Sequence, residues 1–137
     1  MKFFFDNNLS PFLAHGLREL SGADSNVREV IHLSDRCARN APDLTWIGEL
    51  SGDGPWYIIS IDRFKKQHGV EREAMRRAGH TIFVLDPQWA AQKYWAQAER
   101  LVKWWPQLVK YSTLVSGGAY RVPWRHSALA KLRAIPF

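Results

Sequence analysis

The sequence predicts an α/β fold, a three-layer α/β/α sandwich with a mainly parallel sheet of four or five strands. Candidate strands at residues 2–5, 27–33, 56–61 and 81–85 alternate along the chain with segments of helical periodicity. The run at 56–61 is apolar almost throughout, which is typical of a strand covered on both faces. Strands that alternate with helices are joined by right-handed crossovers, so a parallel sheet between helical layers is expected.

The first two helices follow the first two strands. Ser10 is suited to cap a helix and Pro11 to occupy its first position, and Gly22 ends the segment. A second helix is expected to open at residues 40–43. Its apolar face is formed by Leu44, Ile47 and Leu50.

Two further helices are predicted in the second half of the chain. A short polar helix is expected at residues 70–78, closed by Gly79. Asp86 and Pro87 predict the start of a long helix that ends near residue 105, because Pro106 interrupts helical hydrogen bonding. The remainder is expected to be irregular, apart from one edge strand at 119–122.

Length and composition indicate one domain over residues 1–137. Hydrophobic residues make up 46% of the 137, including seven Trp and seven Phe, which is enough for a core without disulfides. The single cysteine excludes an intrachain disulfide and suits a reducing compartment. No apolar run reaches the length of a membrane span, and the apolar start is too short for a signal peptide. A cytoplasmic protein without membrane association is therefore expected.

The net charge of +6 is unevenly distributed. Residues 1–99 are nearly neutral, whereas residues 100–137 contain seven Lys or Arg and no acid. Such a segment attracts a polyanionic partner through its positive potential. A solvated tail, or one that pairs with an acidic protein, fits the charge equally well.

Three aspartates directly follow predicted strands: Asp6, Asp62 and Asp86. Sites in parallel sheets form beyond the carboxyl ends of the strands. Asp43 lies in the first turn of the helix that leads into the strand before Asp62. Clustered carboxylates are the ligands that Mg²⁺ or Mn²⁺ prefers, and such ions activate water for attack on a phosphodiester. We predict that Asp6, Asp43 and Asp62 are catalytic metal ligands.

Some of these acids have structural explanations too. Asp86 precedes Pro87 and is suited to cap a helix, and Asp43 follows Asn40 at the spacing of a capping box. A fourth acid of the site is either absent or supplied by Asp86, Glu71 or Glu73. The two glutamates are otherwise expected to face solvent.

Neighbouring polar residues are candidates for supporting roles. Asn7, Asn8 and Ser60 stand at the ends of the first and third predicted strands, although Asn in such a turn often serves turn geometry. Three cations follow Asp62 and are candidates for contacts to RNA phosphates, and an ordinary exposed basic loop would have the same composition. They are Arg63, Lys65 and Lys66.

Four short motifs in this order resemble the PIN-like domains, a family related to the VapC-type ribonuclease toxins of bacterial toxin–antitoxin pairs. The motifs are Asp6-Asn7-Asn8-Leu9-Ser10, Pro42-Asp43-x-x-Trp46-Ile47, Ile59-Ser60-Ile61-Asp62-Arg63-Phe64 and Gly79-His80-Thr81-Ile82-Phe83-Val84-Leu85. The resemblance covers residues 1–89, and residues 90–137 form a basic, Trp-rich extension.

The resemblance implies a Mg²⁺- or Mn²⁺-dependent endoribonuclease with RNA as substrate, an antitoxin as partner and Asp6, Asp43 and Asp62 as metal ligands. Asn7 stands where close relatives often have an acid, which weakens a second metal site. That departure favours the alternative of an inactive PIN-like module that binds RNA or protein. By analogy, the Trp-rich segment 89–124 docks an antitoxin or a second copy in a homodimer, or else contributes to the core.

Overall fold

The computed structural model describes residues 1–62, 64, 69–129 and 131–137. Within these residues one sheet has the strand order β2-β1-β3-β4-β5-β6; the first five strands are parallel and β6 is antiparallel to β5. The mainly parallel sheet is confirmed, with one more strand than the largest number expected. The strands are β1 (Lys2–Phe5), β2 (Glu29–His32), β3 (Tyr57–Ser60), β4 (Thr81–Leu85), β5 (Gly118–Val122) and β6 (Arg133–Ile135).

Helices connect the parallel strands as the alternation predicts. The first begins as expected, since the Ser10 side chain accepts a hydrogen bond from the Phe12 N–H and Pro11 occupies the first turn. The helices are α1 (Pro11–Leu20), α2 (Asp43–Ser51), α3 (Val70–Ala78) and α4 (Tyr94–Ser112).

The core lies on both faces of the sheet, which confirms the three layers. Successive residues of a strand point to opposite faces. Accordingly, Phe3 and Phe5 pack with the apolar residues of α1 and α4, whereas Phe4 packs with those of α2 and α3. All three phenylalanines of β1 are fully buried, as expected for a strand between two helical layers.

The predicted bounds of α4 are wrong at both ends. Residues Pro87–Ala91 form a separate 3₁₀ helix, and α4 begins at Tyr94 and continues through Pro106 to Ser112. A proline inside a helix costs about 3 kcal/mol. Each Leu or Val that is fully buried contributes about 1.5–3 kcal/mol, and both Leu108 and Val109 beyond the proline are buried. Their burial, with Pro106 on the exposed side, offsets the interruption.

The strand expected at the edge of the sheet is also placed differently. Residues 118–122 form β5, which pairs with β4 on one side and with β6 on the other. The segment is therefore an inner strand, because the chain returns after residue 131 and covers it. Three residues with no apolar alternation form β6, so the sequence pattern gives no strand signal there.

The Trp-rich segment contributes mainly to the core. Trp89, Trp104 and Trp105 are buried in the layer formed with α1, while Trp95 is 79% exposed. Among the residues that the structure describes, no helix has both the length and the apolar character needed to cross a membrane.

Candidate active site

Asp6 directly follows β1 and lies between the ends of β1 and β3. Its N–H donates to the Ile59 carbonyl at 3.1 Å, which continues the pairing of the two strands by one residue. Its side chain lies on the α2 and α3 face of the sheet, because Phe4 two residues earlier does. Only 6% of Asp6 is exposed.

Ser60 joins the ends of these two strands. Its hydroxyl donates to Asp6 Oδ2 at 2.9 Å and accepts from the Asp62 N–H at 3.0 Å and from Asn8 Nδ2 at 3.3 Å. A hydroxyl has one donor and two acceptor sites, so all of its hydrogen-bonding capacity is used. Ser60 is fully buried. Its hydroxyl oxygen therefore links the Asp6 carboxylate to the Asp62 backbone through two hydrogen bonds.

Asp62 is oriented by the backbone that follows it. The Phe64 N–H donates to Asp62 Oδ1 at 2.8 Å. Phe64 adopts a positive φ of 54°, which is unusual for a bulky residue, and its ring is fully buried against Trp46. Burial of the ring therefore helps to fix the Phe64 N–H that orients the Asp62 carboxylate.

Trp46 positions the third acid. Its indole N–H donates to Asp43 Oδ1 at 2.9 Å, and its ring stacks on Phe4 with the centroids 4.9 Å apart. The proposed capping box with Asn40 is absent, since the first turn of α2 has Pro42 as its N-cap and no side-chain cap. The sequence gives no signal for this role of Trp46, because spacing alone does not show which acceptor an indole reaches.

The electrostatics link the three carboxylates. Burial raises the pKa of Asp6 from 3.8 to about 6, opposed by the hydrogen bonds from the Asn7 N–H and Ser60. The negative charges of Asp43 and Asp62 raise it further. The site therefore has a negative potential that a cation would neutralise.

Comparison with known families identifies the domain. A family model described as a PIN like domain matches residues 1–87, which is more than half of the chain. The chain belongs to the PIN-like domain family. No curated protein and no solved structure matches it. PIN-like domains have a nuclease-type fold, and the end of β1 in this one carries the buried acid.

The donor set of this PIN-like domain fits a magnesium-type ion in charge and chemistry. Within residues 1–62, 64, 69–129 and 131–137, no three His, Cys, Asp or Glu side chains are close enough to bind one ion together. Mg²⁺ commonly keeps several waters and takes only one or two carboxylates directly. Asp6, with neighbours that already act on its pKa, meets that smaller requirement.

The two asparagines after Asp6 act mainly as structural ties. Asn7 donates its amide to the Arg39 carbonyl at 2.7 Å, which fixes the end of β1 to the loop before α2. Asn8 contacts Ser60 as described above and accepts from the Ile61 N–H at 3.4 Å. Both side chains help to bring the Asp6, Asp43 and Asp62 segments together.

Asp86 occupies the N-cap position of the 3₁₀ helix Pro87–Ala91, as predicted, but its side chain makes no capping hydrogen bond. Its two carboxylate oxygens accept from Arg121 Nε at 2.5 Å and Nη2 at 2.8 Å. The residue is only 4% exposed, and its backbone carbonyl caps the 3₁₀ helix by accepting from Trp89. A buried carboxylate needs a partner, and the arginine on β5 provides it.

The remaining candidates for a fourth acid differ from each other. Glu71 is buried at 2% exposure, contrary to the expectation that it faces solvent, because it shares the inner face of α3 with Met75. Glu73 is half-buried and pairs with Arg76 and Arg77 on the same helix. The predicted phosphate contacts Arg63, Lys65 and Lys66 lie outside the described residues.

Proposed function

We propose that this PIN-like domain is a Mg²⁺- or Mn²⁺-dependent endoribonuclease that hydrolyses RNA phosphodiester bonds at Asp6, Asp43 and Asp62. The observation that carries the proposal is the buried carboxyl of Asp6, whose pKa of about 6 reflects both burial and the two neighbouring acids. Such an arrangement is unfavourable on its own and favourable around a divalent cation. Its place beyond the carboxyl ends of parallel strands agrees with a nuclease-type fold.

The surrounding hydrogen bonds support a role for these acids as ligands. Ser60 and the Asn7 N–H fix both oxygens of Asp6 in direction. The described residues donate hydrogen bonds only to Oδ1 of Asp43 and of Asp62, which leaves Oδ2 of each to accept from the waters that the ion keeps. When bound, the ion would supply Lewis acidity for the attack of water on the phosphodiester.

The proposal extends to the toxin of a toxin–antitoxin pair, with a cognate antitoxin as the controlling partner. The resemblance to VapC-type toxins and the net charge of +6, which suits RNA, support it. Induced expression of the chain should then arrest growth of the host cell, and Asp6→Asn should abolish the arrest. Normal growth with the parent chain would count against the toxin assignment alone.

Cleavage of a single-stranded RNA by the purified chain tests the enzymatic proposal. The parent should cut in Mg²⁺ or Mn²⁺ and stop in EDTA, and Asp6→Asn or Asp62→Asn should lower the rate at least 100-fold. Asp24→Asn is the matched control, because Asp24 caps a turn near the amino end of the sheet by accepting from the Asn26 N–H. If both site variants cut like the control, the proposal is wrong.

A binding module that does not cut RNA is the second candidate. It is favoured by the absence of a three-ligand group within the described parts of the chain, and by the Asn7 amide, which holds a loop where relatives often have an acid. Titration with Mn²⁺ in a calorimeter separates the two. Heat that disappears in Asp6→Asn supports the enzyme, and no heat with the parent supports the module.

A further inference from the structure

Two arginines lie opposite each other at the carboxyl edge of the sheet. Arg121 on β5 and Arg133 on β6 are direct register partners in the antiparallel pair. Side chains in such positions have Cβ atoms about 4.5–5.5 Å apart, and like charges there are destabilising. The Asp86 carboxylate already balances the charge of Arg121, whereas no carboxylate of the described residues pairs with Arg133.

The arginines lie on the same face of the sheet as Asp6. On that face Ser60 pairs with Val84, Val84 with Arg121, and Arg121 with Arg133. Asp6 continues the β1 pairing beside Ser60, so every strand except β2 contributes to one row. With strands about 4.8 Å apart, the Cα of Arg121 is roughly 14 Å from that of Asp6, and the Cα of Arg133 is roughly 19 Å away.

Asp86 balances the charge of Arg121 and fixes the direction of its guanidinium, which itself stays partly exposed. The Asp86 side chain is 6% exposed, whereas that of Arg121 is 42% exposed. Two nitrogens of the guanidinium contact Asp86, and the described residues supply Arg121 with no other hydrogen bond. The outward N–H groups of Arg121 are therefore held in a fixed direction, next to the exposed Arg133.

We propose that Arg121 and Arg133 bind backbone phosphate of single-stranded RNA and hold the strand along the carboxyl edge, with the bond to be cut at Asp6. This inference rests on the proposed function and names how its substrate is held. A fixed guanidinium can donate two parallel hydrogen bonds to phosphate oxygens, which an ammonium group cannot. In this arrangement Asp86 orients Arg121 and is not a metal ligand.

RNA affinity at several salt concentrations tests the proposal. Fluorescence anisotropy of a labelled single-stranded RNA in EDTA measures binding without cleavage. Each lost phosphate contact should reduce the slope of log affinity against log salt by about 0.7, so the parent's loss of affinity between 50 and 200 mM salt should become about 2.6-fold smaller. In cleavage assays the same variants should raise KM and leave kcat within about twofold.

Arg133→Met is the main variant, because Arg133 is exposed and its removal leaves no buried charge. Arg121→Met alone would leave the Asp86 carboxylate without its partner, so the double variant Asp86→Asn/Arg121→Met accompanies it. Lys110→Met is the matched control. Lys110 is exposed near the end of α4, at the amino edge, where Ser112 accepts a hydrogen bond from Tyr57 in the first position of β3.

The outcomes separate this inference from the function on which it rests. Reduced slopes in Arg133→Met and in the double variant, with a parental slope in Lys110→Met, support the phosphate contact. Parental slopes in both arginine variants, or no RNA binding by the parent, would overturn it and make the arginine pair a feature of the sheet edge only. If the parent cleaves RNA with metal but the arginine variants have unchanged slopes, the nuclease proposal stands and the phosphate contact is wrong. If the slopes are reduced but the parent does not cleave, the phosphate contact stands and the nuclease proposal is wrong.

Discussion

Replacing Asp6 by asparagine should stabilise the fold at neutral pH while it abolishes metal-dependent cleavage. The substitution keeps the shape of the side chain and removes a buried negative charge that faces two further carboxylates. Catalytic groups are often destabilising in this way, because the environment that suits the ligand is unfavourable without it.

The magnitude follows from the pKa of Asp6. It is about 6 in the folded protein and 3.8 in the absence of the fold. When the pH lies between these two pKa values, Asp6 keeps its proton in the folded chain and has lost it in the unfolded chain. The free energy of unfolding therefore falls as the pH rises from about 4 to about 6. A shift of about two units corresponds to about 3 kcal/mol at pH 7.5.

Asparagine recovers only part of this energy. Its amide nitrogen would face the Ser60 hydroxyl, whose acceptor sites are already occupied by Asp62 and Asn8. An unfavourable contact of that kind costs about 1 kcal/mol or more. We therefore expect a net gain of about 1–2 kcal/mol at pH 7.5, which disappears near pH 4, where Asp6 is protonated in the folded protein.

Urea denaturation of the parent, Asp6→Asn and the control Asp24→Asn in EDTA, at pH 4 and pH 7.5, measures the difference. The parent should lose stability relative to Asp6→Asn as the pH rises, and Asp24→Asn should follow the parent. A stability difference between parent and Asp6→Asn that is the same at both pH values would refute the reasoning, because the charge of Asp6 would then have no cost.

Three further predictions concern neighbouring features. Ser60→Ala should raise the pKa of Asp6 further, since it removes a hydrogen bond to the charged form, and should lower the free energy of unfolding by about 1–3 kcal/mol. A carboxyl NMR titration measures the pKa and urea denaturation measures the stability. An unchanged pKa would contradict the assigned hydrogen bond. Arg121→Met should lower the free energy of unfolding, because it leaves the buried Asp86 carboxylate without its partner, and Asp86→Asn in the same chain should restore part of the loss. Denaturation of both variants tests this, and a purely additive result would argue against the ion pair. Pro106→Ala should stabilise α4 by about 1–3 kcal/mol, because it restores a backbone hydrogen-bond donor at an exposed position. Thermal denaturation measures the change, and a lower melting temperature than that of the parent would contradict the prediction.

The sequence predicts most of the fold because its strands are almost entirely apolar. The runs at β1, β3 and β4 have few polar residues, so their burial on both faces follows directly, and Asp6 and Asp62 stand where these runs end. The predicted end of α4 is wrong because tertiary packing decides it, and not the local sequence. A local rule places the end before Pro106, whereas packing of Leu108 and Val109 extends the helix.

The partners of the site acids could not be predicted from spacing. Asp86 pairs with Arg121, which is 35 residues later, and only the position of β5 beside β4 brings them together. Asp43 is held by Trp46 within its own helix, but a spacing of three residues does not show which acceptor a buried indole N–H will reach. Arg133 lies in a strand too short for any periodic signal, so its position opposite Arg121 depends wholly on the tertiary fold.

A crystal of the protein soaked in Mn²⁺ and measured at a wavelength where manganese scatters anomalously tests the central claim directly. We expect an anomalous peak within coordination distance of an Asp6 carboxylate oxygen, on the side that faces Asp43 and Asp62, and no such peak in crystals of Asp6→Asn. A fully occupied manganese elsewhere, or the same peak in the Asp6→Asn crystal, would contradict it.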